Sequence, residues 1–190
     1  MQLNEVIDNL TAWAQSNLCD GMELLRPSEN NMSGAYELVT PVAFSLYVPP
    51  KDQLPPDVKQ QLPSICLQLR DGSDDMEKNI RSLNFRLAYS TYRPGHFSEV
   101  TDDDGNTSME FTRDADGWKE LWLWVSRSIH KIQSEMYIEG VKVDRSKPIK
   151  YGHFQIDDTL VDAYPMWYAW IEFTVTCGIS LKTNSYKNYL

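Results

Sequence analysis

Between Tyr164 and Cys177 the chain alternates with a period of two. Trp167, Ala169, Ile171, Phe173, Val175 and Cys177 form one apolar set, and Met166, Tyr168, Trp170, Glu172, Thr174 and Thr176 form the other. Successive side chains of a strand point to opposite faces, so this stretch predicts a long strand with one face buried. Its β-branched and aromatic residues suit a half-buried pleated surface. Tyr168 and Trp170 put two large rings on the second face, which then requires a cover: a helix, another sheet or another copy of the chain. The same period runs through Ile65, Leu67 and Leu69, and again through Leu83, Phe85, Leu87 and Tyr89. Between them lies Asp71-Gly72-Ser73-Asp74-Asp75, a turn-former followed by charge, so the two strands predict an antiparallel hairpin. A further strand is expected from Tyr36 to Val48. Pro41 has no N–H for a ladder, which puts that strand at an edge or gives it a bulge.

Two stretches change the period to that of a helix. Leu3, Val6, Ile7, Leu10, Trp13, Ala14 and Leu18 trace one stripe and predict a helix over 3–18, stopped by Asp20-Gly21. Trp118, Leu121, Trp122, Val125, Ile129, Ile132 and Met136 trace another, over about 117–136, with Asp116 as N-cap. Trp124 falls off that stripe and needs separate cover or a contact. Short strands are expected at Val141–Val143 and near Ile149–Ile156, the latter followed by an Asp157-Asp158 turn. Polar stretches at 27–34 and 180–190 read as a loop and a loosely held tail. The segment 49–63 holds five of the ten prolines and reads as a surface connection. Residues 94–116, polar and acidic without steady period, predict a second long loop. The order implies a single α+β domain over 1–190, a mostly antiparallel sheet with two main helices packed on it.

Composition narrows the partners. The formal charge of -9 argues against sequence-independent attachment to nucleic acid, which depends on a basic surface. The 6 Trp and 10 Tyr suit either a large aromatic core or an interface, where those residues are enriched. Cys19, Cys66 and Cys177 have neither disulfide nor zinc spacing and read as reduced, buried small hydrophobes. No secretory signal and no membrane span are expected.

Motifs for chemistry are few. Asp102-Asp103-Asp104-Gly105-Asn106 invites a calcium loop, but an EF-hand frame started at Asp102 puts Thr107 and Arg113 where Gly and a bidentate acid are needed. A frame started at Asp71 ends on Ser82. His96, His130 and His153 share no ligand spacing, and His153 with Asp157 and Asp158 is the one arrangement that could imitate an acid–base or metal group. Phosphate-binding glycine loops and nucleophile elbows are absent. The residues themselves point to no cofactor, metal or catalytic set.

The order of elements resembles that of the tail terminator, or tail completion, proteins of tailed bacteriophages. The parts that carry the resemblance are the helix 3–18, PSICLQLRDG at 63–72, NIRSLNFRLAYSTY at 79–92, DGWKELWLWVSRSIHKI at 116–132 and YPMWYAWIEFTV at 164–175. Asp116-Gly117-Trp118 and the Tyr164-Pro165 pair opening the last strand are similar to features of that family. The proline-rich insertion at 49–63 and the length of 94–116 depart from it. The resemblance implies a non-enzymatic structural protein of the virion tail, assembled in the host cytoplasm. It would form a homo-oligomeric ring, commonly a hexamer, on the last ring of the tail tube protein. There it would stop tube polymerisation and offer a surface to a head-side connector protein, while DNA passes without specific binding and no membrane is involved. Under that reading Trp124, Tyr168 and Trp170 are candidate ring contacts. Arg70, Asp74, Asp75, Asp102, Asp103 and Asp104 are candidates for the lumen or for partner docking. Two other readings stay open: a small cytosolic immunity-type module that binds a basic protein, and a metal-dependent enzyme built on His153, Asp157 and Asp158.

Overall fold

A computed structural model of the chain describes residues 1–27, 37–103, 105–156, 159–160 and 163–179, without the side chains of Phe97 and Leu160. Helix α1 spans Leu3–Ala14, and the Glu5 carboxylate accepts a hydrogen bond from the Gln2 N–H before its first turn. It closes in a π-helical turn, Gln15–Cys19, whose Leu18 and Cys19 are fully buried. The strands β1 (Leu24–Arg26) and β2 (Glu37–Val39) pair as a small antiparallel ribbon, joined by the Arg26–Glu37 ion pair. After them come β3 (Val42–Ser45), β4 (Ser64–Asp75) and β5 (Ile80–Tyr92).

Beyond β5 lie β6 (Gly95–Thr101), β7 (Thr107–Arg113), helix α2 (Gly117–Ser134), β8 (Tyr137–Ile138) and β9 (Val141–Val143). The chain continues through β10 (Lys150–His153), β11 (Gln155–Ile156), β12 (Thr159–Leu160) and β13 (Met166–Gly178). The fold is α+β.

The main sheet is mixed, in the order β3-β4-β5-β13-β9-β8, with β10 also on β13. Strand β13 is its centre. One edge pairs with β5 from Met166↔Tyr92 to Gly178↔Ile80, and the other is shared by β10 and β9. The one parallel pair among the described residues is β3–β4, at the sheet's edge, where Pro41 had placed it. That edge is closed by a side chain. The Gln15 amide accepts from the Ala43 N–H at 2.8 Å and donates to the Pro41 carbonyl at 3.2 Å, as a further strand would. Open strand edges invite pairing with other chains, and the π-turn supplies the residue that blocks this one.

Both helices cover the same face. Ile65, Leu67, Phe85, Leu87, Tyr89, Ile171, Phe173 and Val175 from the sheet meet Val6, Leu10 and Leu18 from the first helix and Leu121, Trp124, Val125 and Ile132 from the second. At roughly 25 cal/mol per Å² of apolar surface removed from water, this cluster is the main stabilising element of the chain. Gly117 opens α2 against Trp167, where an added Cβ would lie 2.1 Å from the indole nitrogen, so only glycine allows this approach.

Four sequence expectations need correction. The stretch 36–48 is two strands in different sheets rather than one, because the chain leaves β2 at Thr40-Pro41. The turn between β4 and β5 is shorter than expected, since Asp71–Asp75 continue the strand past a bulge at Leu69/Asp71. The long loop 94–116 contains the antiparallel hairpin β6–β7. The fourth concerns Trp124, below. Residues 28–36, Asp104, Asp157, Asp158 and the tail 180–190 lie outside the described residues.

Candidate functional site

The face of the sheet turned away from the helices is built by the alternate residues of β4, β5 and β13: Cys66, Gln68 and Arg70; Asn84, Arg86, Ala88 and Ser90; Tyr168, Trp170 and Glu172. It divides into a charged half and an apolar half, with Trp170 between them. In the charged half, Arg86 donates twice to Oε1 of Glu172, from Nε at 3.0 Å and Nη2 at 2.7 Å. Arg70 approaches the same oxygen at 3.5 Å, and Lys150 stands opposite Glu172 on β10. Arg70 and Arg86 thus share one largely buried carboxylate, with Lys150 on the neighbouring strand.

Trp170 is half-buried by its own sheet. The Arg86 guanidinium sits 5.0 Å from the ring centroid, and the indole N–H donates to the His153 carbonyl at 2.9 Å. Its cross-strand partner is Gly152, where an added Cβ would stand 3.1 Å from the ring. The ring therefore lies across β10, and the cover that the sequence demanded comes from a glycine on the neighbouring strand and an arginine stacked above.

Tyr168 opens onto the apolar half. With Leu46, Tyr47, Val48, Ala88 and Phe154 it lines a groove of about 530 Å³. Partial burial raises the Tyr168 phenol's pKa. The rings of Phe154 and Tyr168 lie 6.4 Å apart. Below them Cys66 is buried, which pushes its thiol pKa up to about 11 and leaves it protonated. The rim is exposed, with Tyr47 at 63% and Leu46 at 49%. Leu46 holds φ 66°, a left-handed conformation that a leucine rarely adopts. It is fixed there by its N–H, which donates to the Leu67 carbonyl at 2.6 Å. Strained backbone of this kind concentrates at functional surfaces.

Trp124 is fully buried and is a core residue, which removes it as a contact for another chain. Its indole N–H donates to the Leu18 carbonyl at 2.8 Å, and its ring packs edge-on against Tyr89 at 5.1 Å. A helix end leaves carbonyls without intrahelical partners, and the π-turn points one of them at this ring. The buried arc of α2 is accordingly Leu121, Trp124, Val125, Ser128 and Ile132. Trp118 and Met136, expected on the stripe, are 45% and 53% exposed.

The acidic candidates are structural in the first instance. Asp74 takes two hydrogen bonds from Arg81, at 2.8 and 2.7 Å, and these hold its carboxyl below the usual range. Asp75 accepts from the N–H groups of Lys78 and Glu77, closing the β4–β5 turn, and its carboxyl is lowered chiefly by Lys78. Asp102 closes the β6–β7 turn by accepting from the Asn106 N–H at 2.8 Å. Asp103 is exposed there beside it. Asp104 lies outside the described residues.

Among the described residues the β6–β7 hairpin pairs with no third strand. Its root is tied down by the Tyr164 hydroxyl, which donates to the Pro94 carbonyl, and by Trp167, which donates to the Arg93 carbonyl at 3.2 Å. His96 and Asp114 pair at 2.5 Å on the same root, which lowers the aspartate's carboxyl pKa. Arg93 also meets Glu120 of α2 at 3.3 Å, where burial raises the glutamate's pKa.

His153, the centre of the enzymatic alternative, accepts the Trp122 indole N–H on Nε2 at 3.2 Å, with the rings edge-on at 4.9 Å. Its two proposed aspartate partners lie outside the described residues. Among the described residues no three His, Cys, Asp or Glu side chains come together as a metal site. No helix among them is long and apolar enough to cross a membrane.

Sequence reasoning missed Leu46, Tyr47, Phe154 and the Arg86–Glu172 pair. The groove residues come from three separate segments, and the ion pair depends on the register of two strands distant in sequence. Comparison with family models, with curated proteins and with solved structures finds no match.

Proposed function

We propose that this chain is a structural subunit of tail terminator type. It assembles as a homo-oligomeric ring, commonly of six copies, caps a tail tube and offers its other side to a head-side connector. The observation that carries the reading is an apolar groove, open among the described residues, on a sheet whose opposite face carries both helices. Apolar surface left open beside a strained rim residue is surface shaped for another protein. The groove lies at the end of the sheet where β13 begins, and the β6–β7 hairpin leaves the sheet at that same end. One end of the subunit thus carries a contact surface that the other end does not repeat, which is what a heterologous ring interface uses. The element order behind the family resemblance, helix, hairpin, helix and long closing strand, supports the same reading.

The test is native mass by light scattering across a wide concentration range, with electron microscopy of the same samples. The expected result is a species rising toward six copies and visible as rings. Leu46→Asp should abolish it while leaving the fold intact, because aspartate tolerates a left-handed backbone better than leucine. A chain that stays monomeric at every concentration and forms no rings, but captures a basic protein, would replace this reading with the immunity-type module.

A further inference from the structure

We propose that Arg93 is a proton-operated latch at the root of the β6–β7 hairpin: ionised Glu120 of α2 holds it, and protonated Glu120 gives it up to Asp114 on the hairpin's returning leg. The pair stands out by its geometry. Arg81 grips Asp74, and Arg86 grips Glu172, through both Nε and Nη2 at distances between 2.7 and 3.0 Å. Arg93 reaches Glu120 from Nη1 at 3.3 Å. Its Nε and the Glu120 Oε2 are buried without a hydrogen-bond partner among the described residues. The same holds for Thr91 Oγ1, two positions earlier on the same face of β5. Buried polar atoms without partners are costly, and native chains keep few of them. An ion pair that leaves one on each side is weakly held in its ionised form.

The second acceptor is already in place. Asp114 Oδ2 meets His96 Nδ1 at 2.5 Å, and its Oδ1 takes the Asp116 N–H at 2.9 Å. His96 chiefly, with the Asp116 N–H and Arg93 adding to it, holds the Asp114 carboxyl below the usual range. Burial acts the other way on Glu120 and raises its carboxyl, against the pull of Arg93. The remaining charged groups at this root are Asp116, bound to Lys119 Nζ at 2.6 Å, and Arg113, exposed at the end of β7. From β13 comes Trp167, which does not titrate, and before it the Tyr164 hydroxyl, bonded to the Pro94 carbonyl.

The direction follows from those signs. The folded pKa of Glu120 lies above its unfolded value, so as pH falls the folded chain takes up this proton before the unfolded chain does. Above that pKa Glu120 is charged and ties Arg93 to α2. Below it the tie is lost, while Asp114, depressed, still carries its charge. The backbone of the first leg stays fixed, because the Arg93 N–H donates to the Pro165 carbonyl at 2.9 Å and the Arg93 carbonyl accepts from Trp167. Handing Arg93 over therefore unties the hairpin from the helix without loosening its first leg. A two-stranded hairpin with no third strand among the described residues has little else to hold its angle.

Heteronuclear NMR of the full chain tests this, following the Arg93 Nε–H and the backbone amides of Gly95 and Asp114 to Gly117 as pH is lowered. These signals should move together through one midpoint above the ordinary glutamate value of about 4.3. Glu120→Gln, nearly isosteric, should lose that step and show the wild-type acid positions already at neutral pH. Steps common to both proteins belong to other groups. In Asp114→Asn the step should remain, but the Arg93 Nε–H should lose its protection from solvent exchange in acid, having no second carboxylate. A step that survives in Glu120→Gln, or a wild-type midpoint at or below the ordinary value, overturns the latch. An Arg93 Nε–H that stays protected in acid in Asp114→Asn overturns the transfer to Asp114.

Discussion

The hairpins β4–β5 and β6–β7 follow one another in the chain, joined at Arg93-Pro94, and both combine β-branched, aromatic and acidic residues. The first has β13 along its flank and two helices behind it, so Ile65, Leu67, Leu83, Phe85, Leu87 and Tyr89 are buried. Among the described residues the second has no third strand, and its side chains are mostly exposed. Strand propensity is thus enough to form both ladders, but only a buried face imposes a two-residue period on the sequence. The β6–β7 ladder forms without such a period because most of its described side chains face water.

The contrast is tested most severely by truncating one large side chain on each side of it. Trp124→Ala empties the space against Tyr89 and orphans the Leu18 carbonyl, and should cost about 3–5 kcal/mol in chemical denaturation. Met109→Ala on the β6–β7 hairpin should stay within about 0.5 kcal/mol of wild type. A truncation at Met109 as costly as the core one would mean the hairpin packs on its own body, and the distinction between the two would fail.

How far the sequence could be read follows from the same physics. Strands β4, β5 and β13 were legible because each has one face in the core, and the first helix because its stripe meets that core. The hairpin β6–β7 was not, because exposure on both faces leaves no pattern for a window of residues to detect. Trp124 was misplaced because the buried arc of α2 is set by what faces it, here the carbonyl of a π-helical turn about a hundred residues earlier. Tyr168 and Trp170 were correctly set on the face away from the core. What covers Trp170 was hidden, since it depends on Gly152 standing opposite in the β10–β13 register. The groove was hidden for a similar reason: Tyr47, Tyr168 and Phe154 are neighbours only after the sheet is assembled.

A smaller effect separates the two halves of the open sheet face. Glu172→Gln removes the charge that holds Arg86, at a site where both side chains are only about one-fifth exposed. Charge-assisted hydrogen bonds of this kind should make the loss about 1–2 kcal/mol, read as a lower urea midpoint. Association through the groove should be unchanged. A loss below about 0.3 kcal/mol would mark the ladder as a screened surface pair and make its clustering of Arg70, Arg86 and Lys150 a feature of the surface charge rather than of stability.

The smallest effect is a pH dependence that differs between the hairpins. Arg81 holds the Asp74 carboxyl below its unfolded value, which is near ~3.9. A carboxyl depressed on folding contributes stability that is fully present above the unfolded pKa and is lost as pH falls through the folded one. Asp114 has the same sign, through His96, but it sits at the root of the β6–β7 hairpin rather than in the main sheet. Asp74→Asn should therefore lower the global urea midpoint slightly at pH 7, and the gap to wild type should close as both are taken into strong acid. Asp114→Asn should leave the global midpoint unmoved and instead speed amide exchange across Gly95–Arg113, because the hairpin opens without unfolding the core. A gap for Asp74→Asn that persists in acid would show that the aspartate acts by shape rather than charge. A global loss from Asp114→Asn would show that the hairpin and the core unfold as one unit.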